Sequence, residues 1–107
     1  MTQVRFYIDE NRLTGFEISG HTGFALEGSD IVCAAISSAA IMAANTVTEI
    51  IGDKAEITEK DGYLKFTLAD GSDASTKVLE GLKLHLMQIS EQYPDNIKII
   101  YGGKSNA

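Results

Sequence analysis

Two side chains in the stretch GHTGFALEGSDIVCAA, Gly20 to Ala35, have the chemistry for covalent catalysis between them: His21 and Cys33. Cys33 is the chain's only cysteine, and His21 is one of two histidines. A thiolate is the nucleophilic form of cysteine, and imidazole is the side chain suited to carrying a proton near neutral pH. Each alone has a plainer reading, because a free cysteine often only fills space in a core and a loop histidine often only makes hydrogen bonds. Placement decides between the readings. With Ser29 or Asp30 as N-cap, Cys33 falls in the first turn of a long helix, where unpaired backbone N–H groups and the helix dipole favour an anion. That position lowers a thiol's pKa, and the same N–H groups suit a developing oxyanion. The loop from Gly20 to Gly28 is long enough to fold His21 back over the helix start. Gly20, Gly23 and Gly28 open backbone angles that other residues resist.

Two neighbours bear on the pair. Ser37 lies four positions after Cys33, on the same helix face one turn on, where it serves either the thiol and substrate or close packing. Asp30 either orients His21 or caps the helix. With no assured third member, the spacing describes a dyad.

The elements that must position these residues follow from periodicity. VRFYIDE alternates, with Val4, Phe6 and Ile8 on one face and Arg5, Tyr7 and Asp9 on the other; ENR turns, and LTGFEISG returns as a second strand. After the glycine-bearing loop comes a helix from about Asp30 to Ile51, stopped by Gly52. AEITEKDGYLKFTLA reads as a second hairpin turning at Asp61-Gly62, with Leu64, Phe66 and Leu68 on its apolar face. A second helix, capped by Ser72 or Asp73, repeats Val78, Leu79, Leu82, Leu86 and Ile89 and closes at Pro94. NIKIIYG is the last strand. The order ββαββαβ predicts an α+β two-layer sandwich: a largely antiparallel sheet with both helices on one face. The other face carries Arg5, Tyr7, Glu17, Lys65 and Lys98. Residues 1–101 read as a single domain and 102–107 as a flexible tail.

Composition narrows the function classes. The formal net charge is −6 and the nine Lys and Arg are scattered singly, which argues against direct nucleic-acid binding. An acidic surface suits a basic protein or peptide partner. The most apolar stretch, IVCAAISSAAIMAANTV, carries Ser and Asn and reads as a buried helix rather than a membrane span. The N-terminus lacks the pattern of a signal peptide, and one cysteine forms no internal disulfide; both suit the cytoplasm. With one Cys and two distant His, no zinc site is expected, nor is any other metal or cofactor. His85 reads as a surface or boundary residue, Met42 and Met87 as core, and DGSD at 70–73 as a turn and cap rather than a calcium loop.

GHTGFALEGSDIVCAAIS resembles the signature of the Prp family of ribosomal-processing cysteine proteases. Gly20-His21, Gly28, Asp30, Ile31, Val32, Cys33, Ala34 and Ser37 occupy matching positions. The rest of the chain is similar in length and element order, through the helix ending in EQYPDNIKI. The resemblance implies an endopeptidase that removes the N-terminal extension of large-subunit ribosomal protein twenty-seven in bacteria that make it with one. It implies Cys33 as nucleophile, His21 as general base, and a homodimer. It also implies a bulky, apolar substrate segment near the cut, for which Phe24 and Leu26 are the candidate loop contacts. The loop 20–29 is expected to be mobile so that it can admit a chain. Two other classes stay open: a non-enzymatic ribosome-assembly or peptide-binding module in which Cys33 only packs, and a redox-sensing thiol.

Overall fold

The computed structural model describes residues 1–20 and 29–102, with the backbone alone for Ser29 and Asp30. Alternating strands and two apolar helical faces produce the expected order. Strands β1 (Thr2–Asp9) and β2 (Arg12–Ser19) are followed by helix α1 (Ser29–Asn45), which continues into a π-helical segment, Thr46–Ile51. Then come β3 (Ala55–Lys60), β4 (Tyr63–Leu68), α2 (Asp73–Gln92) and β5 (Ile97–Tyr101). The five strands form one sheet in the order β3-β4-β2-β1-β5. Every neighbouring pair is antiparallel except β1 and β5, which run parallel because α2 makes the crossover.

The pleat sorts the side chains. Phe6 pairs with Phe16, and Phe16 with Phe66, so three rings on adjacent strands form one row. Their centroids lie 6.5 and 5.2 Å apart, and Tyr101 extends the row 6.4 Å beyond Phe6. Val32, Ile36, Ala40, Ala43 and Val47 of the first helix and Leu79, Leu82 and Leu86 of α2 close over this row and complete the core. On the opposite face Glu17 lies between Arg5 and Lys65, and Lys65 Nζ stands 5.4 Å from the Tyr7 ring centroid. Tyr7 is thereby buried on a face otherwise rich in charge.

The helix boundaries show where local chemistry differs from the sequence reading. α1 runs from Ser29 in the described residues, and the side chains of Ser29 and Asp30, the expected caps, lie outside them. The six residues that follow α1 widen into π geometry: the hydroxyls of Thr46 and Thr48 donate to the Met42 and Ala44 carbonyls, competing with the regular backbone ladder. Gly52, at φ 88°, then ends the segment, with its N–H and that of Asp53 both reaching the Val47 carbonyl. α2 is capped by Ser72, whose hydroxyl accepts from the Ser75 N–H.

Met42 is not a core residue. It lies two positions from Ala40, about 200° around the helix, and is 64% exposed. Ile31, Ile41 and Ile50 are exposed on the same helix. The segment Ile31–Ile51 is in fact long and apolar enough to cross a membrane, with a mean hydropathy of 1.7. Its Val32–Ile36–Ala40–Ala43–Val47 stripe is instead packed on the sheet.

Candidate active site

The site assembles where the N-terminal half of α1 meets the start of β1 and the end of β2. Cys33 is the fifth residue of α1. The amides of residues 29–31 form the helix start, where backbone N–H groups lack partners within the helix. The sulfur sits just behind the helix start rather than in its opening turn. It is part-buried, and Sγ lies 3.4 Å from Thr2 Oγ1. Thr2 itself is 2% exposed and held by the strand, its N–H donating to the Asn96 carbonyl at 2.9 Å.

Beside the sulfur opens a cleft of about 290 Å³. Cys33, Ile36, Ser37 and Ile41 line it from α1, Thr2 and Ile18 from the sheet, and Glu59 to Leu64 from the β3–β4 turn. The base is apolar (Ile18, Ile36, Leu64) and the turn contributes Glu59, Lys60 and Asp61 at its edge. Such a space suits an apolar side chain on a polypeptide whose polar backbone stays near the rim. Gly20 joins the two sides: its N–H donates to the Gly62 carbonyl at 3.0 Å, and its φ of 76° suits glycine. Tyr63, also on the cleft wall, donates its hydroxyl to Glu17 Oε2 at 2.6 Å. That hydrogen bond, with smaller help from burial and the carboxylate's charge, pushes Tyr63 up to about 12, so it remains a neutral donor at physiological pH.

Of the residues singled out in the sequence, the structure brings Cys33, Ser37 and Gly20 to one cleft, with Ser37 exposed one turn beyond the sulfur. His21, Gly23, Phe24, Leu26 and Gly28 lie outside the described residues, as does the side chain of Asp30. Among the described residues the cleft's apolar lining comes from Ile18, Ile36, Ile41 and Leu64, which motif reading did not assign to it. Thr2 was legible in principle. It occupies the core-facing parity of the Val4-Phe6-Ile8 alternation, and a polar residue there needs a buried partner. Among the described residues no cluster of three or more His, Cys, Asp or Glu is arranged to hold a metal. His85 is exposed, away from this cleft.

Comparison with known proteins puts this cleft in context. The family model described as cysteine protease Prp matches residues 1–98. The ribosomal processing cysteine protease Prp of Bacillus subtilis is 30% identical over 94 residues, covering 81% of this chain and 84% of its own. The protein of the same name from Staphylococcus aureus is 27% identical over 96 residues, covering 87% and 91%. A crystal structure of the S. aureus ribosomal processing protease Prp with a covalently linked product peptide superposes with a TM-score of 0.85 at 25% identity, covering 94% of this chain and 99% of that one. The mixed sheet, the two helices on one face and the match over nearly the whole length agree, and this chain belongs to the Prp family of cysteine proteases.

Proposed function

We propose that the protein is an endopeptidase that uses Cys33 as nucleophile and His21 as general base to remove the N-terminal extension of large-subunit ribosomal protein twenty-seven. One observation carries the assignment of the nucleophile. A cysteine protease needs a thiol, this sequence has one, and that thiol lines a cleft with an apolar base. The thiolate of Cys33 adds to the scissile carbonyl carbon. The departing amine takes the proton that His21 received from the thiol, leaving a thioester that water hydrolyses to restore the thiol. The helix-start amides of residues 29–31 suit the oxyanion. A peptide covalently held by the solved S. aureus relative is consistent with such a step. The cleft's isoleucines and Leu64 suit an apolar residue beside the cut, and the net charge of −6 suits a basic ribosomal substrate. On this reading the enzyme works in the cytoplasm, where a ribosomal-protein substrate is made.

The active unit on this reading is a homodimer. What supports it is the uncovered apolar stripe of α1: Ile31 and Met42 are 67% and 64% exposed, with Ala34 and Ser38 between them small enough for a second helix to approach closely.

The test is to incubate the protein with the extended ribosomal protein and weigh the products. Wild type should make one cut, Cys33→Ala none, and His21→Ala should slow cleavage by about 10²-fold or more. Cleavage by Cys33→Ala at the wild-type rate would refute the nucleophile. A substrate bound but left whole by wild type would favour a peptide-binding module.

A further inference from the structure

Two buried polar side chains stand out among the described residues, Thr2 and Ser75. Ser75 is accounted for, since its hydroxyl donates to Asp53 Oδ2 at the base of α2. Thr2 is 31 residues from Cys33 in sequence, yet its hydroxyl is spent on the sulfur. We propose that Thr2 is a positioning residue for the Cys33 nucleophile, its hydroxyl donating to the thiolate and holding it toward the cleft. The proposal rests on Cys33 being the nucleophile.

Thr2 is built to be a stationary point. Its N–H is bonded to Asn96, its strand is paired with β5 at Ile97, and the next residue, Gln3, pairs with Ser19 of β2. A β-branched side chain on such a strand has few χ1 choices. A hydroxyl can accept from S–H and, on ionisation, turn its proton toward S⁻. Hydrogen bonds to a charged partner are stronger than neutral ones, so the contact favours the ionised form. Other titratable groups on the described walls of this cleft are Glu59, Lys60, Asp61 and Tyr63 of the β3–β4 hairpin. They are shared by wild type and variants, so a change at Thr2 alone reports the hydroxyl.

Because the chain has one cysteine, whole-protein mass after iodoacetamide treatment reads Cys33 directly. The alkylation rate is followed from about pH 5 to about pH 9, spanning the range in which protein thiols ionise. Thr2→Val keeps the shape without the hydroxyl; it should raise the midpoint by about one pH unit and slow alkylation about tenfold below both midpoints. It should also lower kcat on the peptide substrate with KM unchanged. Thr2→Ser, which keeps the hydroxyl and loses the methyl, should restore both. An unchanged midpoint in folded Thr2→Val, or a shift as large in Thr2→Ser, would overturn the role. If Thr2→Val fails to fold by circular dichroism, Thr2→Ala supplies the hydroxyl-free arm. Cleavage surviving in Cys33→Ala would sink the nucleophile assignment instead, a result separable from the alkylation profile.

Discussion

The two helices lie on the same sheet face and are finished very differently on the outside. α2 is amphipathic: Leu79, Leu82 and Leu86 point inward, while Lys77, Glu80, His85 and Glu91 are exposed, with Leu84 the one large apolar exception. α1 carries no Lys, Arg or Glu from Ser29 to Asn45, and much of its outer face is aliphatic or small. α2 fits its surroundings through a hydrophobic stripe and a solvated back, which is the arrangement of a structural helix. α1 bears the thiol, one wall of the cleft and an unfinished apolar stripe within a few turns. The sheet needs only one face of each helix, and the surplus on α1 is the surface that the proposed dimer would cover.

That contrast is sharpest where substitution should hurt most. Leu79→Ala on α2, at a fully buried position, should cost about 3 kcal/mol, whereas Met42→Ala on α1 should stay within about 0.5 kcal/mol, both read from denaturant midpoints of the dissociated monomer. Equal losses would mean that the Met42 face is covered within the monomer. Met42→Glu and Ile50→Glu should turn the proposed dimer into monomers, weakening association by about tenfold or more, with the monomer's unfolding midpoint retained. Light scattering that shows no change would leave the stripe without its partner.

The smallest effect lies at the joint between the two helices. Asp53, just after the π-helical end of the first, accepts from the Ser72 N–H, the Ser72 hydroxyl and the Ser75 hydroxyl at the start of α2. The Ser75 hydrogen bond first, then those from Ser72, hold the Asp53 carboxyl below its ordinary value of 3.8. A carboxyl depressed by folding stabilises the native state above its unfolded pKa, and that contribution disappears as pH falls through the lower folded value. Thermal melts of wild type should therefore lose stability below the ordinary carboxylate range. Asp53→Asn should be less stable near neutrality and should lose less on acidification. Parallel pH curves would mean that the joint is indifferent to its charge.

Much of this architecture is written in short-range pattern. Alternation in VRFYIDE and LTGFEISG, glycine at 52 and 62, and the heptad-like leucines of α2 each report one local preference, and the local preferences agree with the sheet. The cysteine was legible because its type is rare and its chemistry distinctive. What escaped depends on contacts distant in sequence: Thr2 matters only once β1 lies under α1, and the cleft's apolar lining needs β2, β4 and α1 together. Met42 was misplaced for a related reason, since an apolar residue on a nearly all-apolar helix carries no phase information. The π-helical end was hidden too, because two threonine hydroxyls turned to backbone carbonyls leave no composition signal.

The strand order has one more effect, on behaviour in concentrated solution. It leaves β3 as an outer strand whose backbone is available to another chain, and β3 is almost wholly exposed. Glu56, Glu59 and Lys60 on that rim make accidental lateral stacking of neighbouring molecules electrostatically unfavourable. The chain thus keeps one of the two open borders of its sheet charged and hydrated, while α1 leaves aliphatic side chains bare.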